Sequence, residues 1–299
     1  MIQKKINKIL IYILGKIHFF FSDKLYLKFK FYLMMGKKLN LNNPQTMNEK
    51  LQWLKLYNRK PIYTNMVDKI LSKEYVSNIL GKEYIIPTLA VWDTLDKMDV
   101  TNLPDKFVIK TNNGGGNNGV YICKNKKDFD KLKCTNKMKK SLNLDIYNIH
   151  KEWPYKNIQK KIFAETYLED NLGELSDYKF YCFNGYVDCV LVCVDRNIGS
   201  PKFYFFDRNW RLKRYNKRGK EAPINFSLPK PQNLEKMFEI AEILSKGIPH
   251  IRVDLYNVNG RIYFGELTFF TDSGFDANRL PESDLYFGSL IELDTNRNI

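Results

Sequence analysis

Apolar residues follow two different spacings along the chain, and together these spacings predict a mixed α+β fold. Spacing typical of amphipathic helices occurs over residues 1–35, 46–58, 62–80, 128–142 and 231–246. Thr46 followed by Glu49 is the capping-box pattern that begins a helix, and Gly81 is placed to end the helix over residues 62–80. Runs typical of strands occur over residues 84–92, 107–110, 120–123, 162–170, 177–194, 202–215 and 251–269. The last 25 residues are polar and are expected to form loops.

Residues 251–274 contain two β-rich runs, each with one carboxylate among apolar neighbours. Asp254 lies in the first run, Glu266 lies in the second, and turn residues separate them. A two-residue turn, Asn259-Gly260, would pair residue 253 with 266 and direct the two acids to opposite faces. A three-residue loop over residues 258–260 would pair 252 with 266 and 254 with 264, which puts both acids on one face roughly 7 Å apart.

Two carboxylates that close repel one another unless a cation lies between them. Mg²⁺ prefers such oxygen ligands and keeps open positions for phosphate. The alternative interpretation is a solvated hairpin that carries two ordinary surface acids.

A polar loop with four glycines follows the predicted strand over residues 107–110. Gly114, Gly116 and Gly119 have the spacing of a dinucleotide-binding motif, but that motif needs a helix next, and residues 120–123 predict a strand. A P-loop is excluded because Val120 stands where its lysine should be. The remaining ligand-binding interpretation is a flap whose backbone N–H groups close over nucleotide phosphates, and the alternative is a glycine-rich hairpin loop without a ligand.

The strand over residues 162–170 ends in acidic residues that suit a nucleoside. Glu165 can accept a hydrogen bond from an adenine amino group, and the backbone at Tyr167 and Leu168 can contact the ring edge. Glu169 or Glu174 is expected to hold the ribose hydroxyls, and the pattern leaves open which of them does so.

Two basic residues are placed to neutralise phosphate. Lys110 ends the strand before the glycine-rich loop. Asp177 and Lys179 alternate onto one face of the next strand, which turns at Asn184-Gly185, a strong hairpin signal.

The net charge of the 299-residue chain is +15, and it is concentrated at the N-terminus. Residues 1–60 hold 13 Lys or Arg against Asp23 and Glu49, a balance that attracts lipid headgroups, nucleic acid or an acidic polymer. No nucleic-acid-binding motif accompanies it. Lysines interrupt the apolar residues of the N-terminus, so no stretch there reaches the ~18 apolar residues of a membrane-spanning helix. The spacing predicts a basic amphipathic helix that either lies on a membrane surface or packs on the rest of the protein.

Five cysteines, at positions 123, 134, 182, 189 and 193, show no Cys-x-x-Cys pair and no histidine at metal-ligand spacing. We interpret them as buried thiols, which favours a reducing, cytosolic setting. None of the three histidines has a nearby Ser or Cys nucleophile in a recognisable setting, so a histidine-based hydrolase has no support.

Taken in order, five segments resemble an ATP-grasp domain: residues 107–119, 164–169, 177–179, 252–255 and 266–268. The longer segments 43–55 (NPQTMNEKLQWLK), 177–185 (DYKFYCFNG) and 252–269 (RVDLYNVNGRIYFGELTF) are similar to the TupA-like ATP-grasp family, which is associated with teichuronopeptide and other cell-surface polysaccharide biosynthesis. The resemblance covers about residues 37–290, and residues 1–36 have no clear counterpart.

The resemblance implies an α+β ATP-grasp fold, in which two subdomains grip ATP, and an ATP-dependent carboxylate–amine ligase. The nucleotide would be held by the glycine flap, the strand that follows it and two lysines: Lys110, Gly114, Gly115, Gly116, Glu165, Tyr167, Leu168, Glu169, Glu174, Asp177 and Lys179. Asp254, Glu266 and Thr268 would hold Mg²⁺. Many ATP-grasp enzymes have Asn where this chain has Thr268, and a hydroxyl is a poorer metal ligand, so the number of metal ions stays open.

The same resemblance implies catalytic roles for Arg252 and Lys179, with Arg252 steadying the acyl phosphate or the substrate carboxylate. Ser273 and Gly274 would shape the substrate side of the site. The predicted organisation is a basic helical extension over residues 1–36, an α-rich lobe over 37–103, a small subdomain with the flap over 104–170, and a subdomain with the metal and substrate site over 171–299.

The resulting hypothesis is a cytoplasmic ligase, held at the inner membrane face or free, that joins an amine or amino acid to a uronic-acid carboxylate of a surface polysaccharide. One alternative is a glycosyltransferase or phosphotransferase that acts on the same polymers. Another is a non-catalytic adaptor that binds an acidic polymer or a membrane through its basic N-terminal block.

Overall fold

The computed structural model describes residues 2–115, 119–171, 175–195 and 201–294. The helices in these residues are α1 (Ile2–Lys16), α2 (Asp23–Met35), α3 (Met47–Tyr57), α4 (Ile62–Val67), α5 (Leu71–Leu80), α6 (Lys131–Leu142), α7 (Ile146–His150), α8 (Lys217–Glu221), α9 (Leu234–Ser245) and α10 (Pro281–Leu290). The strands are β1 (Thr88–Trp92), β2 (Phe107–Thr111), β3 (Val120–Cys123), β4 (Ile162–Thr166), β5 (Ser176–Phe183), β6 (Tyr186–Val194), β7 (Lys202–Phe206), β8 (Leu212–Lys213), β9 (Ile251–Val258) and β10 (Arg261–Thr268).

The described strands form two antiparallel sheets. The smaller sheet has the order β1-β4-β2-β3, and the larger has the order β10-β9-β5-β6-β7-β8. Helix α6 packs on β2 and β3 of the smaller sheet, and α9 packs on β5, β6 and β9 of the larger one. Each sheet therefore has its own apolar core, and the core of the larger sheet continues into the N-terminal helices.

Local signals in the sequence set several element boundaries. Thr46 caps the N-terminus of α3, and the Glu49 side chain returns a contact to the Thr46 backbone, so the capping box is confirmed. Asn184 and Gly185 both have positive φ, 48° and 89°, as a tight two-residue hairpin turn requires. The five cysteines are free and buried.

The helix predicted over residues 62–80 is wrong, because two helices occupy that range. The Asp68 carboxylate accepts hydrogen bonds from the backbone N–H groups of Ile70 and Leu71, at 2.8 and 3.2 Å. It thereby serves the unpaired N–H groups of α5 and ends α4 before it. The Asp68 backbone is extended, with φ −66° and ψ 116°, so Lys69 lies outside both helices.

The loop predicted for the last 25 residues is also wrong, because α10 lies there. Pro281 stands in its first turn, and Glu282 and Asp284 are the acids of that turn, all of which favour a helix N-terminus. Asp284 is buried and accepts hydrogen bonds from the backbone N–H and the side chain of Asn48, both at 3.0 Å. The polar residues in α10 therefore hold the N-terminus of α3.

Strand β1 belongs to the smaller sheet, although the sequence-based division assigned its residues to the N-terminal lobe. It pairs with β4, and Thr88 lies opposite Glu165. The smaller sheet is therefore built from two separate parts of the chain.

The N-terminal helices pack on the fold through one side of α2. Tyr26, Leu27 and Phe31 are buried, whereas most apolar side chains of α1 are exposed. Lys30 is also buried; it donates hydrogen bonds to the Ile149 carbonyl and to Nδ1 of His150, and burial lowers its pKa to about 8. Among the described residues, the search for a helix long and apolar enough to cross a bilayer found none.

We predict that Gly288→Ala destabilises the fold strongly. A Cβ at Gly288 would lie 2.0 Å from the Gln45 carbonyl oxygen, 2.8 Å from the carbonyl carbon of Thr46 and 2.9 Å from the Met47 nitrogen, and backbone atoms cannot yield as a flexible side chain can. We expect a loss of about 3 kcal/mol in the free energy of unfolding, measured by urea denaturation. Gly15→Ala is the matched control, because a Cβ there meets nothing within 4 Å; equal destabilisation by both changes would contradict this view of the α3–α10 contact.

We also predict that Lys30→Met changes how stability depends on pH. Burial lowers the pKa of Lys30 to about 8 in the folded protein, from its usual value of 10.5. The unfolded chain therefore binds more protons above pH 8, and the contribution of Lys30 to stability rises with pH through that window. The difference in unfolding free energy between the variant and the parent should change by up to about 1.4 kcal/mol per pH unit between pH 8 and 9.5. A difference that is constant over that window would show that Lys30 is not held in this environment.

Candidate active site

Asp254 and Glu266 lie directly opposite each other on neighbouring strands. The β9–β10 turn has two residues, since Arg261 pairs with Val258, but the register shifts between Phe264 and Glu266. Gly265 is the extra residue of this bulge, and Glu266 therefore pairs with Asp254. Both registers derived from the sequence are wrong for this reason: the turn is the shorter one, yet the acids share a face.

Arg252 joins the two acids. Its Nε and Nη2 donate to the two oxygens of Asp254 at 2.6 and 2.8 Å, and Nη2 also donates to Glu266 at 3.1 Å. The same nitrogen lies 3.1 Å from the Thr268 hydroxyl, which donates to Glu266 Oε1 at 3.3 Å. The residues expected to hold a metal ion thus surround one guanidinium in this structure.

Lys179 brings a third carboxylate to the same face. It pairs with Asp254 in register across β5 and β9, and its ammonium contacts Asp254 and, at 2.7 Å, Asp177. Burial lowers the pKa of Lys179, but the adjacent Asp254 and Asp177 carboxylates outweigh it, so the net shift is upward. Lys179 therefore stays charged within the sheet.

Lys69 links the acid pair to the glycine-rich loop. Its ammonium contacts the Gly114 carbonyl and lies 3.3 Å from Glu266 Oε2. Two further hydrogen bonds hold the start of the glycine-rich loop against residues 68 and 69. The Lys69 N–H donates to the Asn112 carbonyl at 3.1 Å, and the Asn112 side chain donates to Asp68 at 2.6 Å. One side chain from the N-terminal part of the chain thus spans the distance between the flap and the acids.

The two acids have unequal environments. Burial raises the pKa of Glu266, but the positive charges of Lys69, Arg252 and Lys179 lower it by more. The net effect holds the pKa of this carboxyl well below its usual range. Asp254 is more deeply buried, and burial with its neighbouring carboxylates raises its pKa against the effect of Arg252 and Lys179.

Glu165 in β4 is buried between two lysines. Lys73 lies 2.8 Å from one of its oxygens, and Lys110 contacts the other. Burial raises the pKa of Glu165, and the two lysines lower it to a net downward shift. Lys110, the last-but-one residue of β2, therefore contacts Glu165 just before the glycine-rich loop begins.

The other residues predicted to bind the nucleotide, as far as the structure describes them, lie after β4 and at the start of the flap. Tyr167, Leu168 and Glu169 follow β4, and Glu169 pairs with Lys106. Gly114 and Gly115 lie at the start of the flap, and a Cβ at Gly115 would meet nothing within 4 Å. Gly116 and Glu174 lie outside the described residues. The roles assigned to all these residues stay predictions.

Ser273 and Gly274 lie in a turn that side chains of α3 hold by hydrogen bonds. Asp272, Ser273 and Gly274 all have positive φ, and the Gln52 side chain donates to the carbonyls of Ser273 and Gly274 at 3.2 and 2.7 Å. Buried Lys55 donates to the Ser273 carbonyl at 2.7 Å. The segment over residues 43–55, singled out in the sequence, therefore fixes this turn rather than contacting the acid pair.

A buried glutamate, Glu152, contacts this turn. Ser273 Oγ donates to Glu152 at 2.5 Å. Burial first, and then both Glu152 and Glu266, raise the pKa of Tyr155 well above its usual value. Tyr155 therefore lies within electrostatic range of both carboxylates, and the sequence pattern gave no reason to select it.

The sequence reasoning also missed Lys69 and Lys73. Their signal was the sequence Asp68-Lys69 inside a helical pattern, because Asp favours helix N-termini and two lysines four apart face one side. Continuous apolar spacing over residues 62–80 concealed that boundary.

The oxygen atoms of Asp254, Glu266 and Thr268 suit a hard divalent cation whose other ligands come from phosphate and water. Asp254 and Glu266 provide carboxylate oxygens and Thr268 a hydroxyl, which suits Mg²⁺ bound by one or two carboxylates together with phosphate and water. Within the described part of the chain, no group of three or more His, Cys, Asp or Glu residues has the arrangement of a metal site by itself. Lys110 and Lys69, which contact residues beside the glycine-rich loop, are suited to bind phosphate.

A sequence profile decides the family. The profile described as TupA-like ATPgrasp matches residues 49–292, well over half of the chain. The chain belongs to the TupA-like ATP-grasp family. Membership confirms the expected α+β ATP-grasp fold and the expected class of ATP-grasp ligase.

Solved structures with a similar fold include several ligases. D-alanine–D-alanine ligase from Helicobacter pylori is 15% identical with a TM-score of 0.42, covering 84% of this chain and 70% of that one. The same enzyme from Bacillus anthracis, complexed with ATP, is 14% identical with a TM-score of 0.42, covering 76% of this chain and 63% of that one. L-amino acid ligase from Bacillus licheniformis is 14% identical with a TM-score of 0.41, covering 76% of this chain and 49% of that one.

The TupA-like chain thus spans between 49% and 70% of the length of these three structures. A search of curated proteins found no match.

We predict that Lys69→Met loosens the start of the flap. The change removes the contacts to the Gly114 carbonyl and to Glu266, so amide hydrogen exchange over residues 112–115 should accelerate by about tenfold. Lys73→Met is the matched control, because Lys73 likewise pairs with a glutamate but contacts none of the flap residues that the structure describes. Exchange that is equally fast in both variants, or unchanged in Lys69→Met, would show that Lys69 does not hold the flap.

Proposed function

We propose that this TupA-like protein is an ATP-dependent carboxylate–amine ligase that works through an acyl phosphate. Family membership and the arrangement of Lys110, Glu165, Lys179, Asp254 and Glu266 support the proposal. The observation that carries it is the bridge of Lys69 between the flap and the Asp254–Glu266 pair, because phosphoryl transfer needs phosphate-binding N–H groups beside a metal-binding carboxylate pair.

The reaction has two steps. An oxygen of the substrate carboxylate forms a bond to the γ-phosphorus of ATP as the bond to the bridging oxygen of ADP breaks. The amine nitrogen then bonds to the carbonyl carbon, the C–O bond to phosphate breaks, and the nitrogen loses a proton. The products are an amide, ADP and inorganic phosphate, and the phosphate keeps one oxygen of the original carboxylate.

The cations around the acid pair are suited to the charges that these steps move. We assign phosphate contacts to Lys110, Lys179 and the N–H groups of Gly114 and Gly115. The Nε and Nη2 atoms of Arg252 donate to the two oxygens of Asp254 at 2.6 and 2.8 Å. The same two groups are able to bind a substrate carboxylate or an acyl phosphate in a bidentate manner. Positioned cations of this kind stabilise the transition state without reorganising.

We assign the metal ligands to Asp254, Glu266 and Thr268. Mg²⁺ bound there would neutralise charge on the phosphates. The remaining nucleotide contacts that we propose are those of Glu165 with the base, Tyr167 and Leu168 with the ring edge, and Glu169 or Glu174 with the ribose.

The proposed substrates are an acidic saccharide, with a uronic-acid carboxylate, and an amine or amino acid. The similarity of the sequence to a family associated with surface-polysaccharide biosynthesis supports this, and so does the net charge of +15, which attracts an acidic polymer. We propose a cytoplasmic location, which five free, buried cysteines support.

The test is release of ADP from ATP in the presence of candidate carboxylate and amine pairs. We expect release to require both compounds, and an ¹⁸O-labelled carboxylate to deliver one ¹⁸O atom to the released phosphate. Glu266→Gln should lower the rate by about a hundredfold or more, because it removes a charged ligand of the phosphate-bound cation. Glu239→Gln, an exposed acid of α9 paired with Lys236, should leave the rate unchanged.

Two outcomes would contradict the proposal. Turnover without transfer of ¹⁸O to phosphate would exclude the acyl phosphate. Turnover of a sugar nucleotide without ATP would identify a glycosyltransferase.

A further inference from the structure

The hairpin of α1 and α2, residues 2–35, exposes an unusual share of the apolar surface. Eleven of the 23 exposed large apolar side chains in the described residues lie between Ile6 and Met34, although this segment is about a tenth of the chain. Single exposed apolar residues are ordinary, whereas a concentration of them indicates an interaction surface.

The exposed side chains form a stripe on α1. Ile6, Ile9, Leu10 and Ile13 have the spacing of one helix face, and all are exposed. A different face contacts α2, because the Asn7 side chain donates to the Leu33 carbonyl at 2.9 Å and Leu14 is buried. The apolar stripe is therefore not the face that holds α1 on the protein.

Helix α2 and the turn between the helices continue the pattern. Leu25, Phe29 and Tyr32 lie four and three residues apart on α2 and are exposed, opposite the buried residues of that helix. In the turn, Phe19 and Phe20 are 68% and 75% exposed. Aromatic side chains left in water at the tip of a hairpin are suited to insertion between lipid headgroups.

Lysines surround these apolar side chains, and acids do not. Seven exposed lysines lie on the hairpin or directly after it: Lys5, Lys8, Lys16, Lys24, Lys28, Lys37 and Lys38. None of them forms an ion pair with a carboxylate of the described residues, and the one acid of the segment, Asp23, pairs with Arg59 and Lys151 instead. A second copy of this face would bring like charges together, whereas an anionic surface would complement them.

We propose that the α1–α2 hairpin docks the protein on a bilayer that contains anionic lipids. The apolar stripe and Phe19-Phe20 enter the boundary between headgroups and acyl chains, and the lysines contact the lipid phosphates. The proposal goes beyond the ligase reaction and does not depend on it. Docking would hold the active site near a lipid-linked or membrane-proximal acceptor.

The test is co-sedimentation of the full chain with vesicles. We expect binding to phosphatidylcholine vesicles that contain about one third phosphatidylglycerol, weak binding to phosphatidylcholine alone, and weakening as salt rises, because salt screens charges beyond about 10 Å at 0.1 M. The Phe19→Glu/Phe20→Glu double variant should bind the anionic vesicles at least about tenfold more weakly. Leu132→Glu, which changes a 72% exposed side chain between two lysines of α6, is the matched control and should bind as the parent does.

Three results would overturn the proposal. The first is absence of binding to anionic vesicles by a protein that is folded by circular dichroism. The second is equal binding to neutral and anionic vesicles. The third is a concentration-dependent dimer in sedimentation velocity that the Phe19→Glu/Phe20→Glu variant abolishes while vesicle binding is absent, which would identify a second copy as the occupant.

Discussion

Two lysines, one just before α5 and one in its first turn, contact acids of the two sheets. Lys73 pairs with Glu165 of the smaller sheet at 2.8 Å, and Lys69 pairs with Glu266 of the larger sheet at 3.3 Å. Burial raises the pKa of Tyr256 well above its usual value, and the carboxylates of Asp177, Glu165, Glu266 and Asp254 raise it further. The five residues from Lys69 to Lys73, which lie outside both sheets, thus contact an acid of each sheet and, through Lys69, the Gly114 carbonyl.

Charge balance explains why so many ionisable groups tolerate burial here. A buried carboxylate without a partner would be strongly destabilising, and removing one member of a buried pair leaves the other uncompensated. In this site Asp177, Asp254 and Glu266 meet Lys179, Arg252 and Lys69, so three negative charges face three positive ones. Such a cluster contributes little net stability compared with apolar packing.

The sequence predicted the composition of the site better than its geometry. Asp254 and Glu266 stand out in the sequence as single carboxylates among apolar neighbours, and Lys110 and Lys179 stand out by their positions on strands beside the glycine-rich loop and Asp177. Their register could not be predicted, because a bulge at Gly265 depends on how the hairpin packs: a Cβ there would lie 3.0 Å from the Asp254 carbonyl and 3.1 Å from the Tyr256 ring.

The predictions for residues 62–80 and for the last 25 residues are wrong for a different reason. At Asp68, apolar periodicity continued through a boundary set by side-chain hydrogen bonds. In α10, the signals of Pro281 and its acids were present but lay among polar residues, and burial of Asp284 against Asn48 gives that helix its place. Both helix boundaries are therefore fixed by polar contacts between or within elements, which hydrophobic periodicity does not register.

The carboxylates and cations of the site neutralise one another through direct contacts. Each carboxylate that we assign to a metal ion already has a cation in contact: Arg252 and Lys179 at Asp254, and Arg252 and Lys69 at Glu266. Nucleotide phosphates offer those cations an alternative partner of the same sign as the carboxylates. We therefore expect binding to exchange partners rather than to add charge, with the cations turning to phosphate as the carboxylates become available to a divalent ion. An exchange of this kind avoids an uncompensated buried charge at any stage, which a site built from carboxylates alone could not do.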